Sequence, residues 1–243
     1  MDKFPKIVSS ELKYYVYIYS NPITDEIFYV GKGKGDRVFA HLIDEGENEK
    51  VKFLQELKNQ GVKPKIEILI HGIENEETAL RVEAAIIDLI GIDKLTNKQS
   101  GWKSAIFGRM SLEQIVSTYS KQQVKIDEPA ILIRINQAFR YSMSEIELYD
   151  YTRGQWKISK ERADNAKYAF AIYEGIIQEV YSVLFWIEAG KTLNTRNEKE
   201  ANPDRCEFIG NIAESEIRDK YKYKSVEDYF KKGNANPIMY VNC

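Results

Sequence analysis

Alternation of hydrophobic and polar positions predicts a β-hairpin near the start of the chain. Residues 13–19 (KYYVYIY) alternate, so Tyr15, Tyr17 and Tyr19 should share one face of a strand. A turn with Asn-Pro and Asp signals then leads to residues 27–31 (IFYVG), which are typical of a returning strand. A hairpin that buries several tyrosines on one face is therefore expected.

Helical periodicity follows this hairpin, and one more strand interrupts it. The predicted elements are a helix from Arg37 to about Asp44 capped by Asp36, a helix over 49–60, a strand over 65–72 and a helix over 76–90 that begins after Asn75. These elements together indicate a first domain of strands and helices over residues 1–105.

The remaining half is richer in strands. We predict a helical connector over 106–128 and a second domain over 129–243. In that domain the pattern favours strands over 131–136, 168–175, 176–187, 206–213 and 237–242, a helix near 144–151 and a charged helical segment over 214–232. The expected fold class is α+β, with a second domain that is strand-rich.

Composition narrows the possible functions. The 243 residues are 43% hydrophobic and 30% charged with a net charge of −2, so no basic coat is present and nucleic-acid binding requires local patches. Cys206 and Cys243 lack metal-ligand spacing and are expected to be reduced thiols. No apolar run approaches the roughly 18 residues of a membrane span, so a cytoplasmic protein is expected.

Glu83 is the sharpest local anomaly in the pattern. It lies at steps of three and four from Leu80, Ile86, Ile87 and Ile90, on the apolar stripe of the predicted helix. A carboxylate there is costly to bury unless it is paired or bound to a metal. The alternative is an ion pair at the edge of the core. One carboxylate, with waters and a phosphate oxygen, is an adequate Mg²⁺ site.

Arg37 and His41 project from one helix face because they are four residues apart. Arg37 lies in the first turn, where the helix dipole already favours an anion, and it can clamp a phosphate. His41 can relay a proton near neutral pH. The alternative is a solvated arginine and a partly buried histidine.

Tyr17 and Tyr29 lie on neighbouring strands, on the face expected to point toward the Arg37 helix. Aromatic packing is the alternative for either residue, and a chemical role requires a lowered phenol pKa. Gly31, Lys32 and Lys34 belong to the glycine-rich segment GKGKGD, which is either a cationic loop that approaches a phosphate or a plain exposed loop.

These residues, in this order, resemble the GIY-YIG nuclease superfamily over about residues 12–105. The first signature corresponds to Tyr15-Val16-Tyr17, with Tyr15 in place of the family glycine, and the second to Tyr29-Val30-Gly31. The family arginine, histidine, metal carboxylate and late asparagine correspond to Arg37, His41, Glu83 and Asn97. The run YVGKGKGDRVFAHL is most similar to the subgroup found in animal nucleases with ankyrin and LEM domains and in bacterial relatives.

The resemblance implies a domain with a small mixed β-sheet flanked by helices, which cleaves DNA with one divalent ion, Mg²⁺ or Mn²⁺, in each active site. By that analogy Glu83 holds the ion, and Tyr17 is the general base, assisted by His41. Tyr29 orders the water around the ion, and Arg37 stabilises the pentavalent phosphate. Lys32 is a further catalytic candidate, while Asn97 and Gly31 support the site.

The second domain weakly resembles small PUA-like or EVE-like barrels, which read bases in RNA or modified DNA. A flipped base is predicted to stack on Trp156 or Trp186, although core packing is the alternative for both. Arg153 and Lys157 belong to a basic stretch suited to a phosphate backbone, and Lys34 in the first domain is a further candidate contact.

The sequence thus predicts a metal-dependent endonuclease whose second domain selects the target, in a restriction-like or genome-defence role. Its partner is DNA, with modified DNA or RNA left open, and it acts as a monomer or a homodimer without a membrane. The alternatives are an RNA-directed nuclease, a catalytically idle nucleic-acid-binding module, and a structural or toxin-regulating protein whose tyrosines only pack.

Overall fold

The computed structural model describes residues 3–43, 46–99, 101–196, 202, 204–230, 233 and 235–243. The chain divides into two compact units, Met1–Arg109 and Met110–Cys243. Within the described residues, no helix combines the length and the apolar composition that crossing a bilayer requires.

The first unit consists of a three-stranded sheet with helices. Its elements are α1 (Lys6–Leu12), β1 (Tyr14–Ser20), β2 (Ile27–Lys34), α2 (Arg37–Ala40), a 3₁₀ turn (His41–Ile43), α3 (Glu49–Asn59), β3 (Lys65–Ile73), α4 (Glu76–Ile90), a 3₁₀ turn (Ile92–Lys94) and α5 (Ser104–Phe107). Asn48 and Asn75 cap α3 and α4 by accepting backbone N–H bonds.

The sheet of this unit has the order β2-β1-β3, and both pairs are antiparallel, so it is not the mixed sheet expected from the sequence. Tyr15, Tyr17 and Tyr19 are fully buried on one face, as the alternation predicts. Val16 and Ile18 point to the other face, where they share a core with α4. Each face of β1 therefore contributes to a separate hydrophobic cluster.

One local prediction near α2 is wrong, and a second is tested only in part. Asp36 does not cap the helix with its side chain, because its Oδ1 accepts a hydrogen bond from the Phe4 N–H instead. The helix itself is a single turn that continues as the 3₁₀ turn, and its expected end at Asp44 lies outside the described residues.

The second unit consists of a five-stranded sheet with helices. Its elements are α6 (Leu112–Ser120), β4 (Ala130–Arg134), α7 (Glu145–Arg153), α8 (Lys160–Ala163), β5 (Tyr168–Tyr173), β6 (Ile176–Glu188), β7 (Cys206–Ile212), α9 (Ser215–Tyr221), a 3₁₀ turn (Glu227–Tyr229) and β8 (Ile238–Val241). The charged helical segment expected over 214–232 is wrong in length, because the helix ends at Tyr221.

This second sheet has the order β7-β6-β5-β4-β8, in which β4 and β5 are parallel and the other pairs antiparallel. Among the described residues, β8 pairs on one side only, and β7 has beyond β6 only an isolated bridge between Cys206 and Trp156, so the pairing is that of an open mixed sheet. Apolar clusters cover both faces, one around Ile131, Ile133 and Phe208 and the other around Leu132, Phe170 and Tyr221. The molecule thus has the α+β class that the sequence predicts.

Candidate active site

The outer edge of β2 is covered by side chains rather than by another strand. Asn97 accepts a hydrogen bond from the Val30 N–H at 3.1 Å and donates one to the Val30 carbonyl at 2.8 Å. The Thr96 N–H donates to the Phe28 carbonyl at 2.7 Å. Because alternate residues of an edge strand present their backbone groups outward, Val30 and Phe28 are the positions available for this contact. Asn97 is thereby fixed beside the second tyrosine signature.

Glu83 binds Lys32, the next residue of β2 whose backbone groups face away from the sheet. Its Oε1 accepts a hydrogen bond from the Lys32 N–H at 2.8 Å, and the described chain supplies no second hydrogen bond or ion pair to this carboxylate. Burial raises the pKa of Glu83, while the Lys32 N–H and ammonium act in the opposite direction. The Lys32 ammonium itself pairs with Glu76. Lys32 therefore positions Glu83 through its backbone.

Gly31 brings the tyrosines to this edge. It pairs with Tyr17 in the β1–β2 register, and a Cβ at Gly31 would lie 2.7 Å from Tyr17 Cζ and 2.8 Å from Tyr29 Cε1. Real Cβ atoms do not approach other atoms so closely, so only glycine allows the two rings to close over the strand. The Tyr17 hydroxyl is thus placed one residue away from the Lys32 N–H that holds Glu83.

The hydroxyls of the buried tyrosines have different surroundings. The Tyr15 hydroxyl donates to the Gly35 carbonyl at 2.7 Å and accepts from the Val38 N–H at 3.1 Å, which fixes α2 against the sheet. The Tyr17 hydroxyl is buried without a hydrogen bond of normal geometry from any described residue, although the Tyr29 phenol is close enough to affect its pKa.

The pKa of Tyr17 moves opposite to the expectation for a general base. Burial raises this pKa strongly, the neighbouring phenols of Tyr29 and Tyr19 raise it further, and the charge of Arg37 lowers it only in part. The expectation of a lowered phenol pKa is therefore wrong for the protein alone, because desolvation outweighs the guanidinium.

Arg37 and His41 lie beside the tyrosines. Arg37 is exposed in the first turn of α2, and among the described residues it makes no hydrogen bond or ion pair. Its charge acts on both Tyr15 and Tyr17. The His41 ring meets the Tyr29 ring edge-on, with centroids 5.7 Å apart. Lys34 is exposed, and its ammonium lies 4.8 Å from the centroid of the Tyr14 ring.

An open pocket of ≈ 410 Å³ lies beside these groups, although Tyr17, Arg37 and His41 are not among its described lining residues. Its lining includes Tyr29, Glu83 and Asn97, together with Lys50 from the first turn of α3. Lys50 is only 7% exposed, and its ammonium lies 4.8 Å from the Tyr29 ring centroid. Sequence reasoning missed this residue, because a lysine in a charged helical turn normally faces solvent. The helical spacing from Lys50 to the buried Leu57 was the available signal.

The donor set fits one hard cation bound through a single carboxylate. Glu83 lines the open pocket with only Oε1 engaged, and carboxylate oxygen is a preferred ligand of Mg²⁺ and Mn²⁺. No group of three or more His, Cys, Asp or Glu side chains suited to a metal is found among the described residues. Water and substrate oxygens would therefore complete the coordination.

Arg153 does not form part of a nucleic-acid-binding surface, which corrects the sequence prediction. It is 3% exposed and donates to Asp150 at 2.8 Å and to the Leu193 carbonyl at 2.7 Å, and it lies 3.4 Å from Glu207. Its guanidinium is thus used inside the second unit to hold the segment that begins at Thr192.

Trp186 is also a core residue rather than a stacking platform. It is 3% exposed, and its ring packs edge-on against Phe208 at 5.2 Å. Trp156 differs, because it is half-buried with its indole N–H bonded to the Thr152 carbonyl at 2.7 Å. Lys157, beside it, is exposed.

Trp156 lines a cavity of ≈ 510 Å³ in the second unit. Arg134, Arg196 and Arg205 contribute to the same lining, and no aspartate or glutamate does so among the described residues. Arg205 is anchored to the Gln155 carbonyl at 2.9 Å and Arg196 to the Gly154 carbonyl at 2.6 Å. An aromatic wall with guanidinium groups around it suits an anion that carries a flat ring.

Comparison with known proteins finds a family match for part of the chain. Residues 18–123 match the family model of the LEM-3-like GIY-YIG domain, which is less than half of the chain and begins directly after Tyr17. The chain is similar to the ankyrin repeat and LEM domain-containing protein 1 homolog of Caenorhabditis elegans, with 30% identity over 122 residues. That match covers 41% of this chain and 17% of the relative's length. No solved structure matches the chain.

Proposed function

We propose a metal-dependent endonuclease that hydrolyses DNA phosphodiester bonds, because residues 18–123 match the family model of the LEM-3-like GIY-YIG domain, which implies a nuclease-type function. The observation that supports this most directly is the meeting of three groups at the edge of β2. Glu83 is held there by the Lys32 N–H, and Tyr17 lies over the adjacent Gly31. The three groups come from different elements: the Glu83 carboxylate from α4, the Lys32 N–H from β2 and the Tyr17 hydroxyl from β1.

Glu83 would hold one Mg²⁺ or Mn²⁺ ion. When bound, such an ion neutralises charge on a phosphate and lowers the pKa of water in its shell. The Lys32 N–H fixes one carboxylate oxygen, and Asn97 keeps the strand edge in place. Glu83 is thus oriented before substrate arrives.

The cationic side chains would bind the scissile phosphate. Arg37 is exposed and makes no internal pair within the described chain, so its guanidinium is available to stabilise the charge of the pentavalent phosphate. The Lys50 ammonium, which lies over the Tyr29 ring and lines the pocket, supplies a second charge from α3. A phosphate between them would be neutralised from two elements, α2 and α3.

Tyr17 would orient the attacking water. Burial keeps its phenol neutral, so it acts by hydrogen bonding to the water rather than by carrying a negative charge. The proton then leaves through His41, whose ring contacts Tyr29. Tyr29 lies next to both Tyr17 and His41, and it also lines the pocket.

The second unit would select the target. The cavity that contains Trp156, Arg134 and Arg205 combines a stacking surface with anion-binding groups, which suits a nucleotide of modified or unmodified DNA. Together with a nuclease domain, this binding unit supports a restriction-like or genome-defence role.

The test is cleavage of supercoiled plasmid by the purified chain with Mg²⁺ or Mn²⁺ and with chelator. Wild-type protein should produce nicked or linear DNA only with the metal, and Glu83→Gln should lower the rate at least about 100-fold. Glu56→Gln, an exposed change on α3, is the matched control and should cut normally.

Parallel substrates separate the alternatives. Cleavage of RNA but not of DNA would support an RNA-directed nuclease, and binding without any product would support an idle module. Equal cutting by wild type and Glu83→Gln would overturn the site assignment. Modified and unmodified phage DNA, digested side by side, test the selective role of the second unit.

A further inference from the structure

The segment that follows Asn97 forms a second wall beside the proposed active site. Gly101 packs so closely on α4 that a Cβ at this position would lie 2.1 Å from Ala84 Cα. Ala84 directly follows Glu83, so this contact fixes the next residue, Trp102, beside the metal-binding carboxylate. Only glycine permits such an approach of two backbones.

Trp102 is shared by two cavities. It lines the ≈ 410 Å³ pocket that contains Glu83 and Lys50. It also lines a second cavity of ≈ 530 Å³, to which Arg81, Lys103 and Arg109 contribute. The half-buried indole therefore stands at the boundary between the proposed catalytic pocket and a neighbouring cavity that is rich in cations.

The second cavity has a positive balance. Asp88 is its one acidic residue among the described lining, and this carboxylate is engaged by the Ser104 hydroxyl at 2.6 Å and the Arg109 N–H at 3.2 Å. The Lys103 ammonium lies 4.2 Å from the Trp102 ring centroid, so a face of the ring already accepts a cation instead of a core side chain.

We propose that Trp102 is a stacking platform for the base of a nucleotide next to the scissile linkage, and that Lys103 and Arg109 bind the phosphates that continue along the strand. This inference rests on the proposed nuclease function and assigns it a binding subsite. Stacking uses the π-face that every base has, so the subsite contributes affinity and position with little sequence preference. The cation-rich lining is complementary to the charge of a nucleic-acid backbone.

The test measures binding of a short DNA oligonucleotide to Glu83→Gln protein, which prevents cleavage during the measurement. Adding Trp102→Leu should weaken binding by about 5- to 150-fold, the range for loss of one base–aromatic stack. Trp102→Phe should retain most of the affinity. Ile7→Ala, an exposed apolar change on α1 that lines neither cavity, is the control and should bind as the parent does.

A single abasic site moved along the oligonucleotide identifies the stacked base. At one position of the abasic site, the loss of binding free energy for the combined change should be smaller than the sum of the losses for the abasic site and for Trp102→Leu alone, because each removes the same contact. Equal affinity of the Leu variant and its parent, with melting temperatures matched, would overturn the proposal, and so would additive effects at every position. If the effects of the abasic site and Trp102→Leu are non-additive but the wild-type protein cleaves no substrate, the stacking subsite is supported and the proposed nuclease activity is wrong.

Discussion

The two units bury similar polar side chains but satisfy them to different degrees. In the second unit, Glu179 accepts two hydrogen bonds from Arg218, at 2.7 and 2.6 Å, and one from Lys222 at 2.6 Å. In the first unit, Glu83 accepts one backbone N–H, and the Tyr17 hydroxyl makes no hydrogen bond of normal geometry within the described chain. Buried polar atoms without a hydrogen-bond partner also occur in the second unit, at Gln178 Oε1 and Trp186 Nε1, so the clear contrast is between the two carboxylates: Glu179 is paired with two cations, whereas Glu83 lines an open pocket with one oxygen engaged.

This difference distinguishes polar groups that serve stability from those that serve chemistry. A carboxylate neutralised by two cations holds its helix in place and is costly to alter. A carboxylate or phenol with an open hydrogen-bonding position loses little stability when it is changed, but it loses its ligand contact. Paired substitutions in the two units can therefore test whether each polar group serves stability or ligand binding.

The largest effect is expected at Tyr17. Tyr17→Phe should lower the cleavage rate at least about 100-fold, the usual cost of removing one essential hydrogen-bonding group from an active site, while the melting temperature stays within a few degrees. Tyr15→Phe should lower the free energy of unfolding by about 1–3 kcal/mol, because it removes two hydrogen bonds and leaves the Val38 N–H without its partner. Rates and thermal melts of both variants check this. A Tyr17→Phe protein that cuts normally would contradict it.

A stability effect is expected at Glu179. Glu179→Gln should lower the free energy of unfolding by about 2 kcal/mol near neutral pH, since Arg218 and Lys222 lose their shared counter-charge while keeping some contact with solvent. Glu188→Gln, on the same strand and half-exposed, should change it little. Urea unfolding at fixed salt measures both variants.

The same substitution should change the response to acid. Burial alone would raise the pKa of Glu179, but the hydrogen bonds from Arg218 and Lys222 outweigh it and hold the pKa below its ordinary value of about 4.3. The stabilisation is therefore present above about pH 5 and is lost as the pH falls through the folded pKa. The difference in free energy of unfolding between wild type and Glu179→Gln should decrease as the pH falls. A constant difference down to about pH 3 would show that the charge of Glu179 is not its source.

The smallest effect is expected at Lys50. Lys50→Gln should lower kcat/KM at least about tenfold, because a charged contact to the phosphate is lost. Lys52→Gln, exposed on the same helix, is the control and should cut as wild type does. Steady-state cleavage of a defined oligonucleotide separates the two, and equal values would remove Lys50 from the site.

Local pattern predicted the parts of the first unit that depend on neighbouring residues. The alternation around Tyr17 and the helical spacing around Glu83 were sufficient, because each reports which face of its own element is buried. Lys50 was missed, because its place in the pocket depends on how α3 packs against the tyrosine face, which periodicity does not encode.

Long-range pairing explains the failures in the second unit. Arg153 belongs to a basic stretch, yet its partners lie in segments more than 38 residues away, at Thr192 and Leu193. Trp186 is buried because Phe208 on the neighbouring strand packs against it. Neither relation is visible before the strands are paired, so the basic run was interpreted as a phosphate contact, and stacking or core packing both stayed open for Trp186.

The double hydrogen bond between Asn97 and Val30 has a consequence for assembly. An edge strand with free backbone groups is a template for pairing with another chain, and aggregation often begins in this way. Here one amide side chain fills both the donor and the acceptor of Val30, and Glu83 fills the donor of Lys32. The residues that line the proposed active site therefore also occupy the strand edge that could otherwise pair with another chain.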